Sequence, residues 1–145
     1  MRARSLADSP FVETEIITVN TGGRPTVVDI TPAAGRFVAR RGDGLLHVFV
    51  PHATAGVALI ETGAGTDVDL LRAIDDLLPA DGRWQHRHGS AGHGRDHLLP
   101  AFIAPYATVP VIGGQMALGT WQSICLVDPN GDNPTRHVRF SFLPA

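Results

Sequence analysis

Four histidines crowd one short polar stretch of the chain: within twelve positions lie His86, His88, His93 and His97. Imidazole is the commonest metal ligand in proteins and the usual acid–base group near neutral pH. His93 and His97 are four residues apart, which places two side chains on one face of a helical turn. The zincin motif has the same spacing, but Gly94 stands where that motif needs glutamate. The pattern therefore indicates a metal or acid–base site that is not a zincin site.

The surroundings of these histidines differ. His97 opens an apolar run, so we expect it at the edge of the core, where its ring nitrogens need a carboxylate, a carbonyl or a metal ion as partner. His88 and His93 lie among glycine, serine and arginine, and exposure in a polar loop is the simpler interpretation for both. We therefore assign a functional role to His97 before the other two.

Two further segments carry polar groups at strand ends. Pro51 to Gly56 holds His52 and Thr54 among small residues, which would let a ligand approach the backbone amides. An ordinary turn between strands explains the same segment. Glu61 ends an apolar strand, where a carboxylate can bind a metal, orient a histidine, or simply mark the point at which the strand meets water. The residues alone leave these alternatives open.

Short apolar runs separated by glycine and proline predict the elements that must hold these groups. We predict strands at 15–19, 26–30, 45–50, 57–60, 108–112, 120–127 and 138–143. Thr31 is a candidate cap for a helix that stops before Gly42, and Asp67 for a second helix at 67–78. Many short strands with two inserted helices favour a mainly-β sandwich over an alternating β-α array.

Composition narrows the class of protein. A chain of 145 residues, 43% of them hydrophobic, can bury one core, so we predict a tail at 1–12 and a single domain at 13–145. The net charge of −2 favours neither nucleic acid nor membrane as a partner. All twelve basic residues are arginine, which excludes lysine chemistry, and Cys125 is expected to be a buried hydrophobe. Without a signal-peptide pattern, we expect a cytoplasmic protein.

Two motifs in register resemble a known family. The stretch from His47 to Gly56 is similar to the strand and PHTTAG-type turn of the YjbQ-type family, annotated with secondary thiamine-phosphate synthase activity, although Ala53 replaces a threonine. The stretch from Ala107 to Gln122 resembles the family's C-terminal signature, which ends in GTWQ. The resemblance runs from about Glu13 to Phe142 and implies a jelly-roll-like β-sandwich that forms a homotrimer, with a polar pocket close to a subunit interface.

The resemblance also implies a set of site residues. Its catalytic members would be His52, Glu61 and His97, and its metal ligands His52, His86 and His97. Its substrate-binding members would be Thr54, Asp96, Trp121 and Gln122. A divalent metal, either zinc or magnesium, is the expected cofactor, and a small phosphorylated metabolite the expected ligand.

The function implied by the resemblance is condensation of a hydroxymethylpyrimidine diphosphate with a thiazole phosphate. Only Arg87 and Arg95 lie near the expected site, which is few for two phosphorylated substrates, so this activity could be secondary. Two alternatives stay open. One is a metal-dependent hydrolase of a small phosphorylated or acylated metabolite, and the other a non-catalytic trimer that binds a metabolite or a metal.

Overall fold

The computed structural model describes residues 12–145, so almost all of the predicted tail at 1–12 lies outside the described residues. Within that range the chain forms strands, three short α-helices and one 3-10 helix. In chain order these are β1 (Glu13–Asn20), β2 (Thr26–Asp29), α1 (Thr31–Val38), β3 (Gly44–Phe49), β4 (Gly56–Ile60), α2 (Thr66–Leu77), the 3-10 helix (His93–Leu98), α3 (Leu99–Phe102), β5 (Tyr106–Ile112), β6 (Gln115–Met116), β7 (Ser123–Asp128) and β8 (Thr135–Pro144). None of the helices between residues 12 and 145 is long and apolar enough to cross a membrane.

The strands form two antiparallel sheets, which confirms the predicted β-sandwich. One sheet has the order β1-β8-β3-β5-β6 and the other the order β2-β7-β4. The main core lies between them, where Leu46, Val48 and Phe140 of the larger sheet share one apolar cluster with Ile124 and Leu126 of the smaller. Alternation of apolar and polar residues along β8 turns one face of that strand to this core and the other to solvent.

The first helix begins differently from the prediction. Pro32 does occupy the first turn, but Thr31 is already helical and makes no capping bond. Its Oγ1 instead accepts a hydrogen bond from the backbone N–H of Ile124, at 2.8 Å. Thr31 therefore ties α1 to the central strand of the smaller sheet. Asp67 also fails as a cap, because α2 begins after Gly65, whose φ of 95° is readily adopted by glycine.

A second apolar layer covers the outer face of the smaller sheet. Ile74 of α2 and Leu99 of α3 pack there on Val127 of β7. Cys125 of the same strand is fully buried, and burial raises the pKa of its thiol to about 11, so the predicted role as a buried hydrophobe is confirmed. This layer fixes α3, and with it the preceding 3-10 helix that carries two of the histidines.

Candidate metal centre

The 3-10 helix and the segment before it bring three histidines to one point. His93 Nε2 lies 2.7 Å from His97 Nε2. One ring nitrogen from each of His86, His93 and His97 lies within 4.8 Å of the other two. Two ring nitrogens as close as those of His93 and His97 must share a proton or an ion, because two lone pairs repel each other. The three imidazoles therefore converge as ligands do.

Glycine permits this convergence. A Cβ atom on Gly94 would lie 2.4 Å from the backbone oxygen of His86 and 2.8 Å from the Cβ of Trp84. A Cβ atom does not make contacts this short, so only glycine lets the 3-10 helix pack directly on the segment that holds His86. The residue that rules out a zincin motif is thus the residue that brings His86 to the other two rings.

The three side chains fit a transition-metal ion. Zinc holds imidazole nitrogens at about 2.0–2.1 Å, which sets them roughly 3.3 Å apart in a tetrahedral site. The 2.7 Å between His93 Nε2 and His97 Nε2 is shorter than that value, and all three nitrogens lie within 4.8 Å of one another, so side-chain rotations would bring them to it. His86 Nε2 is buried and has no hydrogen-bond partner among residues 12–145, which is a costly state for a polar atom. A metal ion at this point would satisfy that nitrogen.

Electrostatics favour the neutral rings that a metal requires. Burial lowers the pKa of His86, and the neighbouring rings of His88 and His93 lower it further. Burial also lowers the pKa of His97, helped by the other three rings and opposed by the negative charge of Asp96. Both rings consequently keep their lone pairs at neutral pH, the form in which imidazole binds metal.

Two residues of the turn between β7 and β8 orient the His93 ring through its Nδ1 atom. Asp132 Oδ2 lies 2.9 Å from His93 Nδ1, and Asn130 Nδ2 lies 2.7 Å from the same atom. Asn130 Nδ2 donates to Asp96 Oδ2, at 3.0 Å. Because an ionised carboxylate only accepts, His93 Nδ1 donates its proton to Asp132 rather than accepting one from Asn130, which leaves the Nε2 lone pair directed toward the other histidines.

A buried ion pair holds this turn in place. Arg136 and Asp128 are fully buried, and Arg136 Nε lies 2.8 Å from Asp128 Oδ2, at an angle that is not that of a good hydrogen bond. Arg136 also donates to the backbone oxygens of Asn133 and Thr135, at 2.8 and 2.9 Å. Asn130 was not among the site residues expected from the sequence. The alternation of Asp128, Asn130 and Asp132 ahead of Arg136 is a local signal that could have indicated it.

The histidines that converge differ at one position from the predicted metal ligands. His86 and His97 belong to the cluster, but its third member is His93, expected to be an exposed loop residue and in fact buried. His52 is not in that group of described residues. Its Nδ1 lies 2.9 Å from Thr54 Oγ1 and accepts from the Thr54 N–H at 3.3 Å, so this nitrogen is already occupied. Burial and the positive charge of Arg136 lower the pKa of His52.

The contacts of Asp96 are structural, and its carboxylate is not free to bind a substrate. Its carboxylate is buried and accepts hydrogen bonds from Arg95 Nε at 2.7 Å and from Asn130. Arg95 in turn reaches Asp75 and the backbone oxygen of Leu78. Asp96 therefore joins the 3-10 helix to α2 and to the β7–β8 turn. Arg95 was counted from the sequence as a candidate phosphate ligand, but its guanidinium group is already engaged in these contacts.

The remaining predicted residues lie at the far end of the smaller sheet. β4 and β7 pair antiparallel, with Gly56 opposite Val127 and Ile60 opposite Ser123. His52 and Thr54 precede the first pair, whereas Glu61, Trp121 and Gln122 adjoin the second. Trp121 is 72% exposed, and Gln122 Oε1 accepts from the N–H of Gly119. Within one chain the structure therefore does not bring these three residues to the histidines.

A cavity of about 330 Å³ opens beside the cluster. His86 and His93 form part of its wall, together with Trp84, Arg87 and Ser90. Its volume is at the lower end of the range for small-molecule sites. Arg83, which lies between the lining residues Gly82 and Trp84 in the chain, is paired with Asp81 at 2.7 Å. The Arg87 Nε donates to the backbone oxygen of Trp84. The cavity thus offers a small ligand direct access to two of the three histidines.

Fold and site together define an antiparallel β-sandwich protein with a cluster of three histidines at one end. The family described as UPF0047 protein YjbQ-like matches residues 15–145, and the chain belongs to that family. The resemblance seen in the sequence motifs is thereby confirmed.

Relatives and solved structures agree with this membership. UPF0047 protein Rv2556c of Mycobacterium tuberculosis is 60% identical over 132 residues, covering 91% of this chain and 98% of the relative. A UPF0047 protein of Archaeoglobus fulgidus is 32% identical over 84% of this chain and 95% of its own length. The crystal structure of a YbjQ-like protein of unknown function from Sulfolobus solfataricus superposes with a TM-score of 0.86 at 28% identity, covering 93% of this chain and 99% of that one.

These comparisons correct the function expected from the resemblance. The relatives' names state a family and no reaction, and the Sulfolobus structure is described as one of unknown function. Condensation to thiamine phosphate was therefore a wrong inference, because membership in the family carries no synthase activity with it. The substrate-binding roles given to Thr54, Trp121 and Gln122 depended on that reaction and have no other support.

Proposed function

We propose that this protein binds one divalent transition-metal ion of the zinc class through His86, His93 and His97. Two observations carry the proposal: one ring nitrogen from each histidine lies within 4.8 Å of the other two, and the buried His86 Nε2 has no hydrogen-bond partner within residues 12–145. Support from Asp132 behind His93 matches the carboxylate–histidine–metal arrangement that orients metal ligands in other proteins.

The donor set favours zinc over magnesium, the other cofactor expected from the sequence. Magnesium prefers oxygen ligands in octahedral geometry, whereas imidazole nitrogen suits zinc, copper, iron and nickel. The nearby carboxylates are engaged elsewhere: Asp96 binds Arg95, and Asp132 faces the outer nitrogen of His93. Three nitrogen ligands without a free carboxylate therefore support a zinc-class ion.

A centre with three protein ligands keeps one position for another group. An ion held in this way binds water or a small ligand there and lowers the pKa of bound water toward neutrality. The adjoining cavity provides room for a small molecule at that position. Arg87 is the arginine that lines this cavity and would bind the phosphate group of a ligand. The small phosphorylated ligand expected from the sequence stays a prediction.

The test is elemental analysis of the purified native protein beside two variants. We expect about one zinc or similar ion per chain, and loss of that ion in His97→Ala. His137→Ala is the matched control, because His137 lies exposed on β8 and contacts Thr18 rather than the cluster. Metal-free native protein that also fails to take up added zinc in solution would refute the proposal.

We propose in addition that the chain associates with copies of itself, as the resemblance implied. Supporting observations are large apolar side chains left exposed on α2 and α3: Leu77 is 59% exposed and Phe102 is 60% exposed. Exposed apolar groups of this size commonly mark interaction surfaces. Light scattering behind size-exclusion chromatography would give the mass directly, and a homotrimer is the expected result.

A further inference from the structure

His88 is a fourth imidazole beside the three proposed ligands. Its ring centroid lies 3.9 Å from that of His86, 5.4 Å from that of His93 and 5.7 Å from that of His97. The side chain is exposed, unlike the buried ring of His93. Nothing in the three-histidine centre itself explains why a fourth ring should gather at the same point.

The spacing of the four ring centroids is compatible with one tetrahedral ion, but the His88 nitrogens lie outside the 4.8 Å group formed by the other three, so the His88 side chain has to rotate to reach it. With metal–nitrogen bonds of about 2.0–2.1 Å, the centroids of imidazoles around one ion lie roughly 5 Å apart. The remaining three centroid distances are 5.6 Å for His86 and His93, 3.9 Å for His86 and His97, and 4.7 Å for His93 and His97. All six distances, from 3.9 to 5.7 Å, therefore bracket the tetrahedral value.

The backbone after His88 is anchored to the same carboxylate that orients His93. The Ser90 N–H donates to Asp132 Oδ2 at 3.2 Å. Gly89, with φ of 84°, runs so close to the His93 ring that a Cβ atom there would lie 3.1 Å from it. Asp132 thus fixes the backbone beside His88 as well as His93, while the exposed His88 side chain can still rotate.

We infer that His88 is the fourth ligand of this metal centre, bound at the position that three protein ligands leave open. The inference rests on the proposed metal-binding function. As the exposed member of the set, His88 is also the ligand that an incoming small molecule displaces. The resting centre is then a closed four-nitrogen site that opens by exchange of one imidazole.

The test uses the metal-free full-length protein and Co²⁺, whose visible absorption reports the number and type of ligands. We compare native protein, His88→Ala and His137→Ala. In His88→Ala we expect the bands to shift as water replaces imidazole, and affinity to fall by more than the roughly 10–100-fold typical of outer-shell substitutions. Added free imidazole should restore the native spectrum in His88→Ala and leave His137→Ala unchanged.

Each other outcome is decisive. Native protein that binds neither Co²⁺ nor Zn²⁺ refutes the metal-binding function itself. Native protein that binds Co²⁺ with the same affinity and spectrum as His88→Ala refutes the fourth ligand and leaves the three-histidine centre standing. Weaker binding with an unchanged spectrum also refutes it, because His88 would then act on the loop and not on the ion.

Discussion

Asp132 Oδ2 lies 2.9 Å from His93 Nδ1, although the two residues are separated by α3 and three strands of the chain. This contact determines which nitrogen of His93 carries the proton, and so which nitrogen faces His86 and His97. The carboxylate is pulled toward its charged form, because hydrogen bonds from Ser90 lower the pKa of Asp132, with a smaller effect from His93. An exposed residue of the β7–β8 turn therefore orients the buried ring of His93.

Replacing Asp132 with asparagine should weaken zinc binding about 10–100-fold, the usual effect of removing a carboxylate behind a histidine ligand. The amide keeps the shape but no longer holds the Nδ1 proton by charge. Isothermal titration of zinc into the metal-free variant measures the change. Asp76→Asn, on the exposed face of α2, is the matched control and should bind as the native protein does. Equal affinities for the two variants would contradict the orienting role.

Arg136→Met should destabilise the protein by about 3–5 kcal/mol, because it leaves the Asp128 carboxylate buried without its partner. Urea unfolding measures this free energy. Arg83→Met removes an arginine from the exposed pair with Asp81 and should leave stability unchanged. We also expect Arg136→Met to weaken zinc binding, since the turn that Arg136 holds carries Asn130 and Asp132. Intact zinc affinity in a destabilised variant would argue against that link.

Gly94→Ala should separate His86 from His93 and His97, because the new Cβ would lie 2.4 Å from the backbone oxygen of His86. The expected result is loss of one metal ligand and a marked fall in zinc affinity, measured by competition with a chromophoric chelator. Gly82→Ala is the control, since a Cβ there meets no atom within 4 Å among the described residues. Native-like affinity in Gly94→Ala would show that the close approach does not position His86.

The metal-free protein should lose stability as the pH falls from about 7 to 5. His52 and His97 have pKa values below their ordinary 6.5 in the folded state. As the pH falls, these histidines are therefore protonated at a higher pH in the unfolded chain than in the folded chain. The free energy of unfolding is largest above pH 6.5 and decreases as the pH falls below that value. Asp132, with a pKa below its ordinary 3.8, acts only at lower pH. Urea titrations across this range test the sign, and a flat profile, or one that rises toward acid, contradicts it.

Much of the fold could be predicted from local pattern. Alternating apolar residues placed β1, β3 and β5 within two residues of their observed bounds and β8 within three, because the periodicity of a strand depends only on neighbouring side chains. The failures were at ends and turns. Residues 120–122 were predicted as strand, but Gln122 folds back onto Gly119, a contact that apolar pattern cannot report. The two-residue strand β6 is too short to leave a periodic signal.

The candidate site divides in the same way. Sequence alone determined that imidazoles crowd positions 86–97 and that His97 borders the core, since composition and spacing are local properties. Only the tertiary structure decided which histidines converge. The cluster contains His93 and not His52, and Asp132 of the β7–β8 turn contacts the His93 ring. Glu61 lies at the opposite end of β4 from His52. The physical reason is that strand pairing fixes which ends of distant segments meet, and packing against a buried ion pair fixes where a turn points.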